Sequence, residues 1–272
     1  MNKKCMFGFL VLVCIALTFI MPDKIATHDR LALDMSQALI GPTRAHIMGT
    51  DRLGRDIFSR IIYGTRTTCS AALIIVGISF CIGTLIGCIS GYFGGIMDAL
   101  IMRLVDMMTA FPNYVLSIAL AGMMGPSLRN VIIAMCITSW MGFARMSRGL
   151  VISARERGYI ASCRALGGGR MYNIVHHIFP DVLFPMITYA SIHIGGVILS
   201  IVALCYLGMG VTPPEAELGS MINEANQFIA DAPHMFIFPG LAIVFIVIGF
   251  QMMGDGLRDY WNPKQRGLAQ NG

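Results

Sequence analysis

A chain of 272 residues with 56% apolar and 13% charged residues, and a net charge of +5, has too little polar surface for an ordinary soluble enzyme. Its apolar residues fall in runs suited to crossing a hydrocarbon layer about 30 Å thick, which takes about 20 helical residues. The expected class is all-α, a polytopic membrane protein with six transmembrane helices, because backbone polar groups in lipid must bond within their own segment. The eight cysteines lie in or beside these runs or in the basic stretch between residues 145 and 170. No pair has zinc-site spacing, and they read as small buried hydrophobes.

The first expected span, Cys5 to Met21, follows a basic start and resembles a signal peptide. No small-x-small pattern precedes Met21 and Pro22, so the expectation is an uncleaved anchor. A polar segment, Asp23 to Thr68, comes next and ends in "GTDRLGRDIFSRIIYGTR". There Asp51, Arg52, Arg55, Asp56 and Arg60 alternate with Ile57, Phe58, Ile61 and Ile62, a pattern that predicts an amphipathic helix lying at the membrane surface. Residues 1–68 thus form an anchor and an extracytoplasmic segment, 69–257 the main helical bundle and 258–272 a tail.

The second span, Cys69 to Gly91, carries Ser79, Gly83, Gly87 and Gly91 at four-residue intervals, one flat stripe on which another helix can pack closely. Asp98, Arg103 and Asp106 sit before the third span, Met107 to Met124, and the Arg103–Asp106 spacing allows a pair on one helical face. Pro112 is expected to kink or start that helix. The fourth span runs from Val131 to Phe143.

The stretch "RERGYIASCRALGGGRMYNIVHHIFP", Arg155 to Pro180, follows. It predicts one short helix from Ala154 to Leu166, a break at Gly167, Gly168 and Gly169, and a second from Arg170 to Phe179 closed by Pro180. A membrane-anchoring role for its arginines is one reading. An anchor, however, has no need of a three-glycine turn that fixes an angle between two helices. The fifth span, Val182 to Leu207, contains His193, whose imidazole in a membrane helix marks a polar interior or a pathway and is a candidate metal ligand. The sixth runs from Phe236 to Gly254.

Charge placement orients the chain. Twelve of the twenty basic residues fall on the side of the N-terminus, whereas the loop from Thr212 to Pro233 has four acidic residues and no Lys or Arg. The segment from Asp23 to Thr68 disagrees, with seven basic residues against five acidic. Several chemistries are excluded: the sequence has no G-x-x-x-x-G-K-[ST] phosphate loop, no H-E-x-x-H and no G-x-S-x-G. Adjacent His176 and His177 would point about 100° apart on a helix and make a poor metal pair.

Ala161, Ser162, Cys163, Arg164, Ala165, Leu166 and Gly167, with Pro180 beyond, resemble the E-A-A-x-x-x-G coupling loop of ABC importer permeases, with Ala161 in place of the glutamate. "GTDRLGRDIFSR", with Gly49, Thr50, Asp51, Gly54, Arg55 and Asp56, is similar to the signature of the second permease type in dipeptide, oligopeptide and nickel importers. "YLGMGVTPPEAELGSMINEA", Tyr206 to Ala225, resembles an outer loop of that group. The resemblance implies a type I ABC importer permease bundle in a bacterial inner membrane. It implies as partners a second permease subunit, two cytoplasmic ABC ATPase subunits and an extracytoplasmic solute-binding protein, with no cofactor and no catalysis in this chain.

The rival from another class is a self-sufficient secondary carrier or channel. It would call for paired ionisable residues in mid-membrane or repeated broken helices, and only His193 answers to that. A membrane enzyme would need a nucleophile and base at useful spacing, which is missing. Peptide and nickel cargo both stand, with His193, the short N-terminal region and "GSMINEANQFI" leaning towards nickel.

Overall fold

The computed structural model describes residues 3–157, 169, 172, 174–211 and 214–261. Among these the chain is helical, with one isolated bridge between Thr50 and Asp56 and no named strand. Among the described residues nine α-helices carry the fold: α1 (Lys3–Ile20), α2 (Pro22–Ile25), α3 (Ile57–Phe93), α4 (Gly95–Thr109), α5 (Asn113–Met124), α6 (Leu128–Arg155), α7 (Phe179–Leu204), α8 (Leu218–Ala225) and α9 (His234–Trp261).

Among the described residues three helical stretches are long and apolar enough to cross a membrane: Ile57–Phe93, His176–Met209 and His234–Asp259. The pair α4 and α5, bent by 78° at the break before Asn113, makes a fourth if taken as one span. The expected third span, begun at Met107, is therefore two helices. Proline at 112 lacks the N–H that a continuous helix needs and disfavours helical backbone before it, so the chain restarts at Asn113. Two other expected spans are different in composition or extent. The apolar part of α1, Gly8–Ile20, is short, and α6 runs on past Phe143 to Arg155, taking Arg145 and Arg148 into the same helix.

Directions follow from paired contacts. Added Cβ atoms at Gly83, Gly87 and Gly91 would meet Trp140 to Ala144, then Ala144 to Arg148, then Arg148 to Val151, so α3 and α6 run parallel. Gly8 abuts Met252 and Met253 while Gly249 abuts Val11, which sets α1 antiparallel to α9. Gly195 faces Val247 and Gln251, and Gly254 faces Ile192, which sets α7 antiparallel to α9. The bundle has two ends: a cap, where residues 26–56 and α8 sit, and a base, where Arg148, Arg155 and Pro180 sit.

The most extensive helix contact is α3 with α6. Ser79, Gly83, Gly87 and Gly91 are the α3 side of it, and Ser147 Oγ donates to the Gly83 carbonyl at 3.3 Å. Without a Cβ at Gly83, Gly87 and Gly91 the two backbones approach closely enough for such contacts. Leu73, Ile74, Ile78, Ile82, Leu85 and Ile89 line the opposite, exposed face of α3.

Acidic residues of α4 close the base. Arg148 holds Asp98 through Nε at 2.5 Å and Nη2 at 2.6 Å, and Ser90 Oγ donates to the same carboxylate. Arg145 Nη2 donates to Asp106 Oδ1 at 2.9 Å, so Asp106 pairs across helices and not with Arg103 as its spacing suggested. Pro180 likewise does not close a helix. A π turn, Ile174–Ile178, runs straight into α7, with Pro180 in the first turn. The wide turn shifts the bonding pattern that proline would otherwise break.

Substitution of Gly87 tests the α3–α6 contact. An added Cβ would collide with Ser147 Oγ and the Ala144 carbonyl, whereas one at Gly77 meets nothing within 4 Å. Gly87→Ala is expected to destabilise the detergent-purified chain by about 1–3 kcal/mol or more, seen as a lowered Tm. Gly77→Ala is expected to leave Tm unchanged or slightly raised; equal Tm values for the two variants would refute the close-approach account.

Candidate functional site

Two regions gather the polar groups of the bundle. The first is the cap. Gly49 and Gly54 adopt φ of 80° and 73°, left-handed backbone that suits glycine, and a Cβ at Gly54 would collide with the Asp34 carbonyl. These turns fold residues 49–56 into a compact loop, and helix starts only at Ile57, with Asp56 as N-cap accepting from Ser59 N at 2.8 Å. The amphipathic surface helix expected over this stretch is absent. Asp51, Arg55, Asp56 and Arg60 are 1–3% exposed; the charges of Asp51, Arg55 and Arg60 are paired with one another and with a distant acid, while Asp56 meets Ser59 N and His46.

That acid is Glu224 on α8. Arg55 Nε donates to Asp51 Oδ2 at 2.6 Å and its Nη2 to Glu224 Oε2 at 2.8 Å. Arg60 Nη2 lies 3.4 Å from the same Glu224 oxygen and its Nε 3.5 Å from Asp51 Oδ2. Two guanidinium groups and two carboxylates thus balance inside the cap. Glu217, fully buried, caps α8 by accepting from Ser220 N at 2.8 Å, and takes a hydrogen bond from Thr68 Oγ1 of α3 at 2.9 Å. Thr50, also fully buried, donates its hydroxyl to the Gln37 carbonyl, and its own carbonyl lies 3.2 Å from His234 Nε2 at the start of α9. The two segments quoted separately from the sequence, Gly49–Arg60 and the end of Tyr206–Ala225, are therefore one construction.

Burial alone would push the carboxyl of Asp56 up, but hydrogen bonds from Ser59 and His46 outweigh it and hold the group below the ordinary carboxylate range. It is ionised at neutral pH.

The second region is a cavity of about 310 Å³ between α5, α6 and α7. Ser117, Thr138, Ser139, Tyr189, His193 and Ser200 supply most of its polar lining. Ser117 and Thr138 hydroxyls hydrogen-bond each other at 2.8 Å across α5 and α6. His193 stacks on Tyr189, with ring centroids 5.6 Å apart, and meets Phe143 edge-on at 5.5 Å. It makes no hydrogen bond among the described residues. A separate cavity of about 650 Å³ opens towards the base, lined by Pro180, Asp181, Phe184, Pro185 and Arg258 among others, and Tyr189 lines both.

The structure brings Gly49, Thr50, Asp51, Gly54, Arg55 and Asp56 together in the cap and sets His193 on a cavity about half a bundle away from them. Ala161, Ser162, Cys163, Arg164, Ala165, Leu166 and Gly167 lie outside the described residues, as does the expected helix end at Leu166; α6 ends at Arg155. Sequence reading passed over Ser117, Thr138 and Ser139, single hydroxyls on apolar helices that become a polar patch only when α5 and α6 pair. It also counted Glu217 and Glu224 only as acids of the outer loop; the position of Glu217 directly ahead of "LGSMINEA" was the available signal for its capping role.

Removing one partner from the buried cluster exposes its energetics. Glu224→Ala leaves two buried guanidinium groups undercompensated, and a loss of about 3–5 kcal/mol is expected. Glu215, 54% exposed and 3.7 Å from Arg30, supplies the contrast, with about 0–1 kcal/mol expected for Glu215→Ala. Chemical denaturation of the purified chain in detergent measures both, and comparable losses would contradict the burial argument.

Comparison with known proteins agrees with this architecture. A family model described as the binding-protein-dependent transport system inner membrane component matches residues 83–267. The chain is 38% identical over 257 residues to the probable D,D-dipeptide transport system permease protein DdpC of Escherichia coli K12, covering 94% of this chain and 86% of that one. It is 39% identical over 265 residues to the dipeptide transport system permease protein DppC of Alkalihalophilus pseudofirmus, covering 97% and 87%. It is also 37% identical over 256 residues to the nickel transport system permease protein NikC of E. coli K12, covering 94% and 92%. On these matches and the helical bundle together, the chain belongs to the binding-protein-dependent ABC importer permeases, multi-pass proteins of the bacterial inner membrane.

Proposed function

We propose that this permease forms one half of the path for a short peptide, and that the cavity around His193 is part of its wall. The observation that carries the reading is the clustering of Ser117, Thr138, Ser139 and His193 between helices whose other faces are apolar. Polar side chains at membrane depth are costly unless they meet a partner or a water-filled path. A volume of about 310 Å³ is at the small end of the range used by small-molecule sites. Hydroxyls and one imidazole suit the amide groups of a peptide. Nickel is the second reading, favoured by His193, but this lining offers a metal no carboxylate or thiolate alongside it.

In this reading six crossings are α1, α3, the α4–α5 pair, α6, α7 and α9. A second permease subunit closes the open side of the path as a heterodimer partner. The cap lies outside and receives an extracytoplasmic solute-binding protein; the base lies inside, where two ATPase subunits dock on the elbow from Ala161 to Gly167 and Pro180. The chain carries no nucleotide loop, so uphill movement requires hydrolysis in those separate subunits to bias its two conformations. α7, continuous with the π turn after the elbow, carries both Tyr189 and His193 and links dock to cavity.

Uptake by a strain lacking this gene, with and without the gene restored, tests cargo directly. Labelled dipeptide uptake is expected to return with the gene and nickel uptake not to. His193→Ala is expected to lower dipeptide uptake several-fold and His193→Gln to keep most of it, since glutamine retains hydrogen-bonding capacity but is a poor nickel ligand. Restoration of nickel uptake alone, lost in both variants, would replace the peptide reading by the metal one.

The dock is tested by Gly167→Pro, which disturbs the turn that aims the second arm of the elbow. The variant is expected to insert and express normally but to lose ATPase co-purification and transport-stimulated ATP hydrolysis. Normal values of both would remove the elbow from the coupling role.

A further inference from the structure

The cap holds a second cluster, on the other side of Asp56 from the start of α3. Asp56 uses Oδ2 to cap that helix, and its Oδ1 faces two imidazoles. His46 Nδ1 lies 2.9 Å from Oδ1 and His28 Nδ1 3.8 Å. The two rings are 4.6 Å apart between centroids and tilted by 31°. One ligand-capable atom from each of His28, His46 and Asp56 lies within 4.8 Å of the other two.

Neighbouring hydrogen bonds fix the state of His46. Asp34 accepts from Ser36 N at 3.1 Å and from Ser36 Oγ, bonds that hold its carboxyl below the ordinary range, so it is an acceptor only. Gln37 Nε2 donates to Asp34 Oδ2 at 2.9 Å, which orients the amide and turns Gln37 Oε1 towards His46 Nε2, also at 2.9 Å. His46 Nε2 therefore carries a hydrogen. Its Nδ1, 2.9 Å from Asp56 Oδ1, then meets the carboxylate either as a donor or through a cation held between the two groups. A proton on Nδ1 would serve for one ring. Two imidazoles converging on one carboxylate oxygen suit an ion that uses both as neutral ligands, whereas two imidazolium rings at this spacing would repel.

We propose that His28, His46 and Asp56 form a binding site for a borderline divalent transition-metal ion of the zinc, cobalt or nickel class. The donor separations of 2.9 and 3.8 Å bracket the value of about 3.4 Å that a tetrahedral ion with bonds of about 2.1 Å requires. Gln37 supplies the outer hydrogen bond that aims a ligating histidine. Asp56 is 1% and His46 11% exposed at the side chain while His28 is 40% exposed, so the fourth coordination position opens to solvent beside His28. The bound ion pins residues 28 and 46 to the first residue before α3. This inference does not rest on the transport reading, and the site is in the cap, apart from the His193 cavity.

The test uses the full chain, purified by a histidine-free tag, set in lipid nanodiscs and stripped with EDTA. Cobalt(II) alone is expected to bind at one ion per chain with visible absorption bands of a low-coordinate site, to release protons on binding and to raise Tm. His28→Ala, at an exposed position that leaves the fold undisturbed, is expected to weaken binding about tenfold or more. Gln37→Ala is expected to weaken it about 10- to 100-fold. A His176→Ala/His177→Ala double variant, changed at the base, is expected to bind as the wild type does. No cobalt binding by the wild type, or one-to-one binding that survives both His28→Ala and Gln37→Ala, would overturn the site. Neither result bears on peptide or nickel uptake, which is measured in cells.

Discussion

Two guanidinium groups buried where α3 begins govern how the cap is built. Arg55 and Arg60 cannot be left alone in a dry interior, so the chain must bring carboxylates to them from both sides of the sequence. Asp51 comes from the adjoining loop and Glu224 from α8, far along the chain. Satisfying these charges fixes where α8 sits, which in turn sets Glu217 against Thr68 and places the turn into α9 beside Thr50 and His234. The cap is held by electrostatic closure beside buried Leu218, Met221 and Met235, while the helices below it are held by shape.

Shape dominates from Ser79 downwards. α3 has one exposed edge of large aliphatic residues and one bare edge of small ones, and the bare edge takes α6 in parallel. At the base the logic returns to charge, with Arg148 clasping Asp98 and Arg155 Nη1 donating to the Gly91 carbonyl at 2.8 Å, just where the small-residue stripe ends. The tightest helix pair is thus closed at one end by ions and packed along its length by absence of side chains.

Much of this was legible. The apolar runs around residues 69–91, 182–207 and 236–254 coincide with long helices, and the resemblance to ABC importer permeases agrees with the family match over 83–267. What misled was reasoning that treats each segment alone. Arg55 beside Ile57 reads as an amphipathic surface because nothing local reveals Glu224. The same partner offsets one of the two excess basic charges in the segment from Asp23 to Thr68, and Glu215, 3.7 Å from Arg30, faces another. Pro112 starts a helix as its identity suggested, whereas Pro180, expected to close one, is absorbed by a wide turn. That difference depends on hydrogen bonding upstream of each proline, which residue identity does not encode.

Tyr189 has a consequence for electrical insulation. The polar cavity and the wider base cavity share it as a lining residue, so its phenol ring stands between a row of hydroxyls and the compartment lined by Asp181 and Arg258. Hydroxyls and imidazole are the groups along which protons and water pass most readily. A membrane that holds a voltage across about 30 Å of hydrocarbon loses it through any continuous wetted column. Here Tyr189 and His193 stack nearly parallel and Phe143 meets both edge-on, so three aromatic rings crowd the side where the two cavities share a wall. Because Tyr189 and His193 both ride on α7, a turn of that helix moves this aromatic group as a unit.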